Sequence, residues 1–88
     1  MKLIIAIMRD QDTEPVVQAL ITAGLRVTRI ASTGGFLKRG SSTIMIGLDE
    51  AQIDGALQVI NNSMSPSDDL ATTRATLFIL DVADFNQI

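Results

Sequence analysis

Two uninterrupted apolar runs stand near the two ends of this 88-residue chain: Leu3-Ile4-Ile5-Ala6-Ile7-Met8 and Leu77-Phe78-Ile79-Leu80. A strand with one face in water alternates apolar and polar residues. A strand that is apolar at every position has to bury both faces. A chain this short buries only about two-thirds of its unfolded surface, yet 47% of its residues are hydrophobic. Together these facts demand a sheet covered on one face by the chain's own helices and on the other by something more. A homo-oligomer is the simplest cover.

The segments between the runs complete the pattern. Arg9 to Asp12 reads as a turn, after which Asp12 or Thr13 caps a helix with Pro15 in its first turn. Val16, Val17, Leu20 and Ile21 give that helix one apolar stripe, and Gly24 ends it. Arg26 to Thr33 is rich in β-branched residues and alternates, with Val27, Arg29 and Ala31 on one side and Thr28, Ile30 and Ser32 on the other, which predicts a second strand. Gly34 and Gly35 break it. A short loop leads to a third strand over 42–48, so the two strands form a hairpin. Asp49 to Gln52 has the form of a capping box. Ile53, Ala56, Leu57 and Ile60 mark a second helix. The polar stretch 61–69 is a loop, and Thr72 to Val82 is the fourth strand.

The order β-α-β-β-α-β predicts an α+β, ferredoxin-like sandwich, with two helices on one face of a four-stranded antiparallel sheet. On apolarity alone, strands one and four are expected at its centre. Residues 1–88 are expected to form a single domain.

Composition removes whole classes of function. There is no Cys and no His. Disulfides, thiolate metal sites, cysteine nucleophiles, imidazole bases and Ser-His catalysis are therefore excluded. An enzyme is the weakest expectation. No run approaches the roughly 18 apolar residues of a membrane span, and the start of the chain lacks a signal-peptide pattern. A cytoplasmic protein without membrane insertion is expected. The net charge of −3 argues against general binding of DNA or RNA.

The charge is unevenly spread. Residues 15–48 hold Arg26, Arg29, Lys38 and Arg39 and no acid at all. Within them lies Thr33-Gly34-Gly35-Phe36-Leu37-Lys38-Arg39-Gly40. A glycine-rich loop with free backbone N–H groups, flanked by cations, suits an anion such as a phosphate. The adjacent Phe and Leu offer an apolar rest for a flat base. A nucleotide satisfies both. Other charged residues have plainer readings. Arg29 is an ordinary solvated strand cation, Asp10 and Asp12 serve the helix start and not a metal, and Asp81 and Asp84 solvate a strand end.

The opening Met-Lys-Leu-Ile-Ile-Ala-Ile strand followed by Asp10-Gln11-Asp12, then Arg26-Val27-Thr28, Ala31-Ser32-Thr33-Gly34-Gly35-Phe36-Leu37 and Gly40, resembles the PII-like cyclic di-AMP receptors (the PstA/DarA family). Gly47, Ala75-Thr76-Leu77-Phe78 and Val82 to Gln87 continue the resemblance. It implies a bacterial, cytosolic homotrimer that binds cyclic di-AMP between subunits and relays it to a downstream protein by ordering its loops. It implies no catalysis and no cofactor. By the same resemblance Arg26, Val27 and Thr28 contact phosphate or the adjoining base. Gly35, Phe36 and Leu37 hold one adenine, Gly47 permits close approach, and Phe78 and Gln87 come from the other end of the fold.

Two positions depart from the family. Ser41 stands where the family usually has Asn, and its short hydroxyl cannot make an amide's paired hydrogen bonds to a base edge. The span between Asn62 and Thr73 is much shorter than the family's loop. Two other functions therefore stand beside the first: a PII-like sensor of ATP or ADP, and a trimeric protein-interaction scaffold that has lost its ligand.

Overall fold

The computed structural model describes residues 1–30, 40–66 and 74–88. The expected element order is present: β1 (Lys2–Arg9), α1 (Asp10–Thr22), β2 (Arg26–Ile30), β3 (Ser41–Leu48), a 3-10 turn (Glu50–Gln52) running into α2 (Ile53–Ser63), and β4 (Ala75–Asp81). The fold is α+β and ferredoxin-like, with all strand pairs antiparallel.

The sheet runs β2-β3-β1-β4. Strands one and three are therefore central, and β4 is an edge. This corrects the expectation drawn from its apolar run. Apolar residues at every position report that both faces of a strand meet apolar partners. They say nothing of its two edges, where the backbone pairs. In β4 the second apolar face is open instead: Phe78 and Leu80 on it are each about half exposed, and even Ile79, on the helix side, is 44% exposed at this edge of the sheet.

Alternation along the strands sorts side chains onto two faces. Ile4, Ala6 and Met8 of β1 lie beside Ile44 and Ile46 of β3 on the helix-covered face, with Leu48 at the end of the row. Val16, Val17 and Leu20 of α1 and Ala56 and Ile60 of α2 close over them, and all eleven are buried. The other face carries Leu3, Ile5, Ile7, Met45, Ile30, Phe78 and Leu80. No described element of the chain lies over it.

Helix α1 begins at Asp10, earlier than expected, so Arg9 to Asp12 is not a free turn. Pro15 consequently sits in the second turn, where its ring removes the hydrogen bond to the Gln11 carbonyl. Nor does Asp12 cap the helix. It is wholly buried, and its carboxylate accepts from the Arg9 guanidinium at 2.8 Å and from the Ser65 N–H at 2.9 Å. Arg9 also donates to the Ser65 carbonyl at 2.7 Å. Thr13 Oγ1 instead donates to the Arg9 carbonyl at 3.2 Å. The helix ends at Gly24 as anticipated: φ is +86° there, and the Leu25 N–H reaches back to the Leu20 carbonyl at 3.1 Å. At the start of the second helical segment, Gln52 Oε1 accepts the Asp49 N–H at 2.9 Å as one half of a capping box.

Candidate functional site

Register places five of the expected site residues on one face of the sheet. Arg26 of β2 pairs with Gly47 of β3, and Gly47 pairs with Leu3 of β1. One pleat further, Thr28, Met45, Ile5 and Phe78 form a complete row across all four strands. Ser41 pairs with Arg9 at the far end of the same face. Arg26, Thr28, Ser41, Gly47 and Phe78 thus share the open face. Val27 does not: it pairs with Ile46 and packs against the core, so only its backbone faces the strand edge. Gln87 is exposed in the tail beyond β4. Gly35, Phe36 and Leu37 lie outside the described residues, as do Lys38 and Arg39.

The row also separates these residues. Thr28 is on one edge strand and Phe78 on the other, three strand spacings or about 14 Å apart. Within one chain they do not meet.

Electrostatics single out Arg26 among the described cations. Arg29, on the helix side of β2, pairs with Glu14 of α1. Its hydrogen bond is the main reason the Glu14 carboxyl is held below its ordinary range. Lys2 pairs with Asp81 directly across β1 and β4, which raises the lysine and lowers the aspartate. Arg9 is held by Asp12. Burial pushes the Asp12 carboxyl up, but the Ser65 and Arg9 hydrogen bonds outweigh it, and the group titrates below the usual aspartate value. Arg74 donates to Asn61. Among the described residues, Arg26 alone of these cations has no side-chain acceptor and is exposed. An unpaired guanidinium can meet an anion without first breaking an internal pair.

Arg26 and Gly47 border a cleft of about 390 Å³, a size within the usual range for small-molecule sites. Met1, Asp49 and Gln52 also line it. None of these three stands out in the sequence as a site residue. The capping-box pattern marked Asp49 and Gln52 as a helix start, and that helix start forms one wall. No sequence signal distinguished Met1 from the rest of the apolar first strand.

Ser41 is positioned by its neighbours. The Asp10 N–H donates to the Gly40 carbonyl at 2.8 Å, and Ser42 donates its hydroxyl to the Asp10 carboxylate. Gly40 has φ +83°, a conformation other residues rarely adopt. The first residues of α1 therefore fix the start of β3 through Asp10 and the exit of α2 through Asp12.

The arrangement offers a free cation, a side-chain-free strand position and hydroxyls on one apolar sheet face. A crystal structure from Pediococcus pentosaceus ATCC 25745, of a functionally unknown protein, is similar, with a TM-score of 0.78 and 30% sequence identity over 99% of this chain and 96% of that one. A sequence model described as cyclic-di-AMP receptor matches residues 1–77, ending just before Phe78. The chain belongs to the cyclic-di-AMP receptor family.

Proposed function

We propose that this protein is a bacterial cytoplasmic signal receptor, a single PII-like domain that assembles as a homotrimer and binds cyclic di-AMP in the clefts between subunits. Ligand binding orders its loops and sets whether a downstream protein docks. It carries out no catalysis and needs no cofactor. Family membership supplies the ligand class.

The observation that supports a site between subunits is the division of the expected contacts across the sheet. Arg26, Thr28, Ser41 and Gly47 lie on β2 and β3, whereas Phe78 lies on the opposite edge of the same face. A ligand that uses both groups takes them from two copies. The open apolar face is consistent with such copies packing sheet against sheet. In this arrangement Arg26 neutralises phosphate, and the apolar side chains of the face receive the purines.

Sedimentation and thermal melting test the reading. The purified protein should sediment at three times the chain mass. Cyclic di-AMP at a hundredfold excess over its Kd should raise the melting temperature by about 10 °C or more, from a linkage of about 2.7 kcal/mol. ATP and cyclic di-GMP should leave it unmoved. The Ser41 departure favours one second reading, a sensor of ATP or ADP, and stabilisation by those nucleotides alone would establish it. A folded trimer stabilised by no nucleotide would instead fit a protein-interaction scaffold.

A further inference from the structure

The cleft beside Arg26 has a wall that the expected contacts do not include. Met1 lines it together with Arg26 and Gly47. The Met1 Cε methyl lies 2.9 Å from the point a Cβ on residue 47 would occupy, closer than two such carbons can stand. The hollow left by the missing side chain at Gly47 is therefore filled by the end of Met1. The family resemblance assigns that hollow to the ligand; in this fold a side chain of the chain itself already uses it.

The way Met1 is held matters as much as where it points. Its carbonyl accepts the Val82 N–H at 3.0 Å, which ties the backbone to the end of β4. The residue as a whole remains 55% exposed. The other apolar groups of the cleft are less available: Leu48 is 4% exposed, and Leu25 is packed against the core. A fixed backbone carrying a free thioether is an adaptable apolar surface. Methionine is unbranched, bends to the shape of what it meets, and its polarizable sulfur makes favourable contacts with aromatic rings.

We infer that Met1 is a ligand-contacting residue, that its thioether forms the surface on which a purine ring lies beside Arg26, and that residue 47 lacks a side chain to seat Met1. The inference rests on the nucleotide-receptor reading above and names the side chain that meets the base.

Four proteins test it: wild type, Met1→Ala (released by proteolysis from an N-terminal fusion), Gly47→Ala and the double variant, each titrated with cyclic di-AMP. Met1→Ala should weaken binding about two- to tenfold, the range of a lost sulfur–aromatic contact. Gly47→Ala should weaken binding in the wild-type background by displacing Met1, and should add less than about a further twofold once Met1 is Ala, because contacting pairs are not additive. In wild-type protein labelled with ¹³C at the methionine methyls, ligand should shift the Met1 resonance and leave that of Met8, which is buried in the core, in place. A full Gly47→Ala penalty in both backgrounds would mean that the glycine admits the ligand directly, and overturns the inference. So does an unchanged Kd for Met1→Ala with an unshifted Met1 methyl. Wild-type protein that binds no cyclic di-AMP rejects the receptor reading itself, an outcome separate from a wild type that binds and a Met1 variant that binds equally well.

Discussion

Replacing Asp12 with Ala would break the joint that holds the exit of α2 against the start of α1. Asp12 is wholly buried and accepts two hydrogen bonds, one from the Ser65 N–H at 2.9 Å and one from Arg9 at 2.8 Å. A hydrogen bond to a charged acceptor contributes about 1.5–3 kcal/mol, and its loss leaves the Ser65 donor without a protein partner. The Arg9 contribution is smaller. Its side chain is 26% exposed and keeps the Ser65 carbonyl at 2.7 Å, so solvent and that carbonyl recover part of the loss, leaving about 1 kcal/mol. The expected destabilisation is therefore about 2.5–4 kcal/mol. That is a large share of the roughly 4–13 kcal/mol available to a domain of this size. Asp12→Asn retains an acceptor for Ser65 but loses the charge and, because its amide nitrogen then faces the guanidinium, the Arg9 hydrogen bond, so it should cost about 1–2 kcal/mol. Urea denaturation at one fixed protein concentration measures both, since assembly makes stability concentration-dependent. The Asp12→Ala midpoint should fall by roughly 2 M with an unchanged slope. A loss under about 0.5 kcal/mol, or an Asn variant as damaged as the Ala variant, would show that the Asp12–Ser65 contact does not hold the two helices together.

Three further outcomes are expected. Arg26→Ala should weaken cyclic di-AMP binding by more than about tenfold, whereas Arg29→Ala, whose guanidinium is committed to Glu14 on the other face, should change it less than about twofold; equal effects in calorimetry would contradict the assignment of the free cation. Stability should fall in acid. Asp12, Glu14 and Asp81 all titrate lower in the fold than their ordinary values of 3.8, 4.5 and 3.8, so the unfolded chain takes up protons first as pH drops. Their contribution is complete above about pH 5, declines below it and is lost once pH passes the folded values; a pH series of urea melts that is flat from pH 6 to 3 would exclude this. Phe78→Asp sets a charge on the open face without touching the core, and it should shift sedimentation toward the monomer while the helical circular dichroism stays near that of wild type.

The element order was legible because each element carries its own local signal. The stripe Val16, Val17 and Leu20 of α1, Gly24 at its end and the Asp49–Gln52 box all act within a few residues and sit where the pattern placed them, whereas Ile21, read into the same stripe, lies at its margin and is 52% exposed. Sheet order was not legible in the same way. An apolar run reports what lies above and below a strand, so β4 looked central although only its inner edge is paired. Asp12 was misread for a related reason. An acidic residue near a helix start usually caps it, and nothing local announces that Ser65, 53 residues away, will reach its carboxylate. For the site, alternation in β2 already separated Thr28 from Val27 and Arg29, and the register confirms that sorting. It could not reveal that Arg29 finds Glu14 while Arg26 has no acidic partner among the described residues, because that depends on how α1 crosses β2. Met1 at Gly47 is likewise a contact made only once β1 and β3 are in register.

Calorimetric titration of the purified protein with cyclic di-AMP decides whether this chain reads that nucleotide. A receptor gives a saturable heat with micromolar or tighter Kd and about one ligand per subunit, with neither ATP nor cyclic di-GMP competing. A well-folded protein that gives no heat with cyclic di-AMP, or that binds ATP in preference, would contradict the receptor reading.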